Sequence, residues 1–504
     1  MRDDLSNGDP KAAPAAVVSM ATGHGDGTIA LPRVALRGAS LRLRLPRPAV
    51  RVSRPGYGLA ALGALFAGCV AVVVFATAGP TELVSSSSYA FPGWLAGPLH
   101  GIFGHLISSP PALSYGFSTL IVAMTAAYAV ALASVRLLSM RTIVIAVVAV
   151  HAVLLLGPPL QLTDLFNYLG YARLGALHHL NPYTHVIAGE VHDPVYGLTS
   201  WHHLHSPYGP AFTLFTYPLG LLPLPIAYWV LKTAMVLASL GFIALVGRCA
   251  RQLGHDPRFA VLFVAANPIF LIYELGGFHN DVLMLLPAMA SISMLLDGRD
   301  RWSGATLMVA VAVKFTMLLL VPFLLLAARP PRRRARFLTG AGLGAAPLAA
   351  ASVAAFGFAL PNLSDQSSVL TSFSIPNLLG LLLGLGGGAP ILLRVVNVAL
   401  VVVVASLVMV VARGRRDWIS SAGFGTVALV ASLAWLMPWY IVWVLPLAAI
   451  GASLRLRRVA LAATVFLVLA FLPVTGTILG QLHINPMGGA AGIAANARAQ
   501  KLAQ

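Results

Sequence analysis

Between Gln161 and Pro210 lies the longest polar stretch of a chain otherwise built of apolar runs, and it gathers groups able to move protons. Seven of the fourteen histidines fall there, with three carboxylates, Asp164, Glu190 and Asp193. A loop longer than about fifteen residues is usually functional or disordered, and its Tyr, Trp and His content is not that of a disordered segment. Asp164 stands just past the end of an apolar run. If 162–175 is helical, Tyr168 and Tyr171 share its face at i+4 and i+7, while Arg173 points to the other side. A carboxylate beside aromatic rings can take a proton from a hydroxyl, help typically worth about 10²–10⁴-fold. It can equally cap a helix beginning at Leu165. Both readings stay open on spacing alone.

Three further groups carry chemistry. His279-Asn280-Asp281 follows Gly276-Gly277 at a helix end, where Asn280 or Asp281 is either an N-cap or part of a polar site in which His279 donates to an anion. Glu274, just before, is costly within a bilayer unless paired or near water. Lys314 interrupts the apolar run Val311-Ala-Val-Lys-Phe315, and an ionisable residue there marks a functional site by default. Trp435-Leu-Met-Pro-Trp439-Tyr440-Ile-Val-Trp443 is either an interfacial aromatic belt or a substrate-stacking surface. His178-His179 and His202-x-x-His205 lack the helical spacing of a zinc protease, and no HExxH occurs. No metal ligand set is therefore assigned, and a loosely held divalent cation at Asp164 or the histidines stays open.

The elements that must position these residues are membrane helices. Of the 504 residues, 58% are hydrophobic and 10% charged, far from the roughly 25% charge of a soluble domain. The net charge of +18 sits in short Arg clusters between apolar runs, the pattern of cytoplasmic loops, which argues against nucleic acid. Cys69 and Cys249 are isolated, so no disulfide framework is expected. No cleavable signal peptide is apparent. Residues 1–54 read as a disordered, Arg-rich cytoplasmic tail lying near anionic headgroups.

Runs of about twenty apolar residues mark spans at 57–79, 113–135, 142–160, 226–247, 259–275, 280–297, 337–358, 389–411 and 459–480. Two runs, 303–328 and 420–452, have the wrong length for either one span or two. Keeping every Arg cluster on the cytoplasmic side requires both to go out and return as short hairpins with tips near Lys314 and Trp439. The expectation is an all-α polytopic membrane protein with about thirteen spans, its amino terminus inside and its carboxyl terminus outside. Residues 55–482 form the membrane domain, 161–210 its outer catalytic loop and 483–504 an outer tail. The segment 208–225 is expected as an outer juxtamembrane helix, and Lys232 to snorkel to the interface. The 80–112 loop carries no readable chemistry.

Asp-Leu-Phe-Asn-Tyr at 164–168, Tyr171-Ala-Arg173, Leu180-Asn181-Pro182-Tyr183 and Ser206-Pro207-Tyr208-Gly209-Pro210 occur in that order on the expected outer side. Asn267-Pro268, Gly276-Gly277-Phe278-His279-Asn280-Asp281, Lys314-Phe315 and Pro438-Trp439-Tyr440 follow. In this the chain, over 57–480, resembles the C-type membrane glycosyltransferases that use polyprenyl-phosphate sugars, and most of all the actinobacterial polyprenol-phosphate-mannose-dependent α-1,6-mannosyltransferases. The resemblance implies a GT-C-like fold in the plasma membrane with an outward-facing active site. It implies Asp164 as catalytic base in a single inverting displacement, and Lys314, His279 and Arg173 as electrostatic partners of the departing phosphate. Tyr168, Tyr171, Asn181, Tyr183, His205, Tyr208, Asn280, Asp281, Trp439 and Tyr440 are the expected substrate contacts. The partners implied are a donor lipid, a glycan or glycolipid acceptor and membrane lipids. The second acidic residue often adjacent to the base is replaced by Leu165, which leaves a metal requirement open. An arabinofuranosyl donor on the same fold is the alternative. A transporter would need charge pairs and inverted repeats at the midplane, and none is found.

Overall fold

The computed structural model describes residues 55–84, 91–106, 108–361 and 363–503; the Arg-rich segment 1–54 and the serines 85–88 lie outside them. Among the described residues every element is helical. In chain order the first helices are α1 Pro55–Thr77, α2 Pro110–Ala133, α3 Met140–Leu156, α4 Asp164–Ala176, α5 Pro210–Gly220, α6 Leu224–Gln252, α7 Pro257–Ala265 and α8 Asp281–Leu296. There follow α9 Asp300–Val313, α10 Val321–Ala327, α11 Pro331–Phe356, α12 Leu363–Ser367, α13 Ile375–Leu382, α14 Pro390–Ala412 and α15 Trp418–Ser432. The chain closes with α16 Leu445–Ile450, α17 Leu454–Phe471, α18 Pro473–Gln481 and α19 Ala490–Ala503. Many open on proline, whose missing N–H costs nothing in the first turn. Ser139, Asp256, Ser374, Asp417 and Ser453 cap theirs by accepting main-chain amides.

Both ambiguous runs double back. α9 ends at Lys314, whose backbone is extended (φ −152°, ψ 118°), and a 3₁₀ turn, Phe315–Leu320, leads into α10. At the base, Asp300 at the start of α9 accepts from Arg333 at 2.8 Å and Arg336 at 2.9 Å in the first turns of α11. Gly340 lies against the Arg301 carbonyl and, one turn further along both helices, Gly344 lies against Ala305, with Gly304 between Phe337 and Ala341, so α9 and α11 run side by side in the same direction. Parallel neighbours joined in sequence require the segment between them to return, and 315–330 does. The second hairpin is α15, a tip at 433–437, the 3₁₀ turn Pro438–Trp443 and α16. Its base closes where the Ser453 amide donates to Ser420 Oγ at 3.2 Å.

Arginines gather on the face holding these bases. Arg258 donates to the carbonyls of Arg136 and Leu138, Arg248 to Asp297 at 2.7 Å, Arg329 to the Ala412 carbonyl and Arg457 to those of Ala448 and Gly451. The opposite face collects the polar segments. Leu160 N–H donates to Gly276 O, Asn181 Nδ2 to Phe356 O, Thr371 N–H to Ala434 O, and His203 N–H to Leu502 O. The 161–210 loop, both hairpin tips, the 359–388 region and α19 therefore meet there, and α19 is a docked helix rather than a loose tail. α5 packs on α4 and α9 at the same face.

Among the described residues five helices are long and apolar enough to cross a bilayer: 56–77, 110–133, 224–252, 331–356 and 390–412. A sixth results if the pair Leu454–Phe471 and Pro473–Gln481, bent by 64°, counts as one. The count of thirteen is thus not confirmed. The hairpin limbs are too short, and 257–275 breaks at Asn267-Pro268. There Asn267 Oδ1 takes the Ile269 amide at 3.0 Å and the chain continues as a π-helix, Phe270–Leu275. Lys232 corrects a second expectation. Its ammonium does not snorkel: it donates to Gly157 O at 2.6 Å and the Tyr228 hydroxyl at 3.2 Å, beneath the rings of Tyr228, Trp229 and Phe278. α6 is covered at this level by 94–99 and by the 276–280 turn, which leaves the amine only an inward course.

Candidate active site

Asp164 is the first residue of α4, where a negative charge suits the helix dipole. The N-cap position belongs to Thr163, whose hydroxyl caps nothing, and this weakens the capping reading of Asp164. Its Oδ2 instead lies 3.1 Å from His279 Nδ1. The His279 ring is buried and stacked on Trp439, centroids 3.6 Å apart and planes at 11°. Beside it Phe278 holds φ at 53°, a left-handed conformation unusual for a bulky residue. The backbone there is fixed because the Asn280 amide donates to the Tyr168 hydroxyl at 3.3 Å and the His279 amide to Glu274 O at 3.1 Å.

One turn on, Asp281 is fully buried and receives two donors on the same oxygen: Lys314 Nζ at 2.7 Å and Trp443 Nε1 at 2.6 Å. The ammonium is partly exposed and lies 5.6 Å from the Tyr440 ring and 5.4 Å from that of Trp443. Glu274 Oε1 accepts the Val282 amide at 3.2 Å. Glu274 Oε2, Asp281 Oδ2, His279 Nε2 and both side-chain polar atoms of Asn280 are buried without a partner. So many orphaned polar atoms in one turn are unusual, since native structures pair nearly all of them, and such a turn is the kind of place where a polar ligand docks.

Asn280 and Asp281 of this turn, with Lys314 and Trp443, border a cavity of about 330 Å³ on the polar face. Asp164, Tyr168, Tyr171, Tyr208, Asn280, Asp281, Lys314, Trp439 and Tyr440 line it. Tyr168 packs edge-on against Tyr208 and Phe212 at 4.9 and 5.0 Å, and Tyr171 donates to Leu204 O at 2.8 Å. Burial, and after it the charge of Asp164, pushes both phenols well above their usual range, so neither competes as a base. Along its far side the cavity runs to Leu393, Asn397 and Leu400 of α14, the span least covered by the rest of the protein.

Four expected contacts fall outside the cavity, and a fifth turns away from it. Arg173 grips both oxygens of Asp193 at 2.8 and 2.9 Å and reaches the carbonyls of Gly220 and Leu222; it clamps the loop to the end of α5. His178 bridges Asp193 at 2.8 Å and Glu190 at 3.3 Å. Burial alone would raise Asp193, but the His178 bond, the Val195 amide and Arg173 together hold it below the usual carboxylate range. His205 pairs with Asp365 at 3.3 Å, Asn181 ties to Phe356 O at 2.9 Å, and Tyr183 donates to Tyr208 O at 3.0 Å. All four hold the loop's shape. His279 is the fifth: it faces Asp164 and Trp439, not the cavity. Conversely Asn167, Trp201, Gln366 and Asn397 line the wall without being expected contacts, and Trp435 and Trp443, which line it too, come from the aromatic tip whose stacking role the sequence left open. Among the described residues no group of three or more His, Cys, Asp or Glu side chains gathers as a metal cage. The arrangement offers one carboxylate to take a proton, one ammonium to meet an anion, and aromatic walls between them.

A family model described as "Alpha-(1->6)-mannopyranosyltransferase, N-terminal domain" matches residues 61–330, and one described as "MptB C-terminal domain" matches 371–499. The chain is 27% identical over 343 residues to "Alpha-(1->6)-mannopyranosyltransferase A" of Mycobacterium tuberculosis, covering 62% of this chain and 65% of that one. It is 26% identical over 366 residues to a "Probable alpha-(1->6)-mannopyranosyltransferase" of Mycolicibacterium smegmatis, covering 62% and 65%. The chain thus spans a little under two thirds of the length of these relatives. No solved structure matches it. The first family model covers more than half of the chain, across Asp164, His279, Asp281 and Lys314, and the second takes in the aromatic tip; the chain belongs to the alpha-(1→6)-mannopyranosyltransferase family.

Proposed function

We propose that the protein transfers mannose from a polyprenyl-phosphate mannose to a growing α-1,6-linked mannan or lipoglycan acceptor at the outer face of the plasma membrane. One observation carries the reading. A single cavity joins the Asp164 carboxylate and a lysine to the wall of a lipid-facing helix, which suits a donor with an anionic head and a long apolar tail. In the reaction the acceptor hydroxyl oxygen attacks the anomeric carbon from the side opposite the phosphate, and Asp164 takes its proton. The bond to the phosphate oxygen breaks with its electron pair, leaving polyprenyl phosphate and an inverted glycoside. That leaving group needs charge stabilisation more than a proton, and Lys314 supplies it once its hold on Asp281 is exchanged for the phosphate. His279, wedged between Asp164 and Trp439, orients the base. The arginine-rich face is cytoplasmic on this reading, by the positive-inside rule. Purified protein in lipid, offered labelled polyprenyl-phosphate mannose beside other polyprenyl-phosphate sugars, should transfer mannose alone. Transfer of a different sugar, or none, would overturn the proposal.

A further inference from the structure

The wall of the cavity includes a pair of tryptophans with no part in the chemistry just described. Trp201 comes from the polar loop and Trp435 from the second hairpin tip; their ring centroids are 4.9 Å apart with planes inclined at 52°, and both line the cavity. Neither is loosely placed. Ser200, before Trp201, shares a hydrogen bond with Thr163, and the Trp201 carbonyl accepts from Asn167 at 3.4 Å. Both bonds come from the turns that begin α4, so Trp201 is tied to the helix end that carries Asp164. Trp435 is clamped on either side by Thr371. The Ala434 carbonyl accepts the Thr371 amide at 3.0 Å, and the Leu436 amide donates to Thr371 Oγ1 at 3.0 Å. The Trp435 indole N–H is buried and has no acceptor, a donor that a ligand oxygen would satisfy.

Two rigid indoles inclined to one another, with an unmet donor at the wall and Gln366 and Asn167 beside them, make a platform of definite chemistry. The C–H face of a pyranose packs on an indole face, and its ring or hydroxyl oxygens accept from N–H groups. Among the described residues the lining holds one cation, Lys314, already assigned to the donor phosphate, and a prenyl chain would leave the polar groups unsatisfied. We infer that Trp201 and Trp435 form the acceptor subsite, seating the mannopyranose rings of the glycan so that its terminal hydroxyl faces Asp164. This rests on the proposed mannosyl transfer for the identity of the sugar, but the platform itself is testable without turnover.

The test uses the full chain in lipid nanodiscs with a soluble α-1,6-linked mannotetraose as probe. Binding is followed by calorimetry, and KM is measured separately for acceptor and for donor. Trp201→Ala and Trp435→Ala should each weaken mannotetraose binding and raise the acceptor KM by about tenfold or more, leaving the donor KM within about twofold. Trp435→Phe keeps a ring but no N–H and should show an intermediate loss. Trp302→Ala, on the arginine face with its ring 61% exposed, should match the parent. Unchanged mannotetraose affinity in both alanine variants overturns the inference, as does a rise confined to the donor KM. If the alanine variants fail to fold, unchanged acceptor binding in Trp435→Phe does the same. If the parent chain binds mannotetraose through these residues yet transfers no mannose, the platform stands and the proposed reaction falls. If mannose is transferred but the tryptophan variants bind and use the acceptor as the parent does, the reaction stands and the platform falls.

Discussion

At Asp164 the substitution by Asn separates chemistry from architecture. It keeps the side chain's shape and its place against His279 but removes the ability to accept a proton. Transfer should fall by about 10²-fold or more, with thermal stability and donor binding near the parent's; near-normal transfer would move the base elsewhere. Lys314 is more entangled. Removing it strands the fully buried Asp281 with only the Trp443 indole, and breaking a buried pair this way costs about 3–5 kcal/mol. Lys314→Ala should therefore lose both stability and turnover. Lys314→Ala with Asp281→Asn should recover the melting temperature but not the turnover, the signature of a charge required by the reaction. Asp193 offers a test by pH. Its folded-state pKa is depressed, so its contribution to stability is full above the unfolded value, about 3.9, and is lost as pH falls through the lower folded value. The melting temperature should drop with acid in that window, and Asp193→Asn should flatten the drop. Charged residues interrupting apolar runs, Asp281 and Lys314, are legible from sequence because a bilayer makes them costly. Arg173 and His205 are not, because polar residues within a long loop can satisfy one another. Nothing in the spacing reveals that Arg173 faces Asp193 or that Asp281 meets an indole on the other hairpin.

Among elements, the two hairpins decide which side each segment reaches. A cysteine at Val191, half exposed in the polar loop, should react with an impermeant thiol reagent applied to sealed cells, while one at the exposed Ala335 should not. The native Cys69 and Cys249 are both buried and should add little background. Labelling at 335 would reverse the proposed orientation. The first hairpin also depends on the bare backbones of Gly304 and Gly340, where a side chain would strike the partner helix's carbonyls. Close approach through small residues is how membrane helices gain contact where no hydrophobic drive exists. Gly340→Leu should part α9 from α11 at an overpacking cost of about 1–3 kcal/mol, read as a lower melting temperature with weaker turnover, because α9 delivers Lys314. The doubling-back is legible from where the arginines have to lie. The break at Asn267-Pro268 is not, since a continuous apolar run through a proline reads as one kinked helix, and Thr464, to which the Asn267 Nδ2 donates, lies 197 residues away.

Across the whole molecule the helices differ in length. α6 and α8 are level on the arginine face, where Arg248 and Gln252 hold Asp297. From there α6 continues for 24 residues to Leu224, whereas α8 stops after 16 at Asp281. At a rise of 1.5 Å per residue the difference is about 12 Å. The floor of the cavity therefore lies well below the rim set by the longer peripheral spans, and α8, about 24 Å long, is shorter than a hydrocarbon core of about 30 Å. A polar cleft cut this deep beside the lipid-facing α14 brings the polar boundary inward of the level set by the longer spans. On the proposed reaction the donor's phosphate head can then reach Lys314 without leaving its own solvation level, while its chain stays in hydrocarbon beside α14. Turnover in bilayers of graded acyl length should accordingly fall as the membrane thickens beyond what this cleft can absorb, with the donor KM rising before kcat declines.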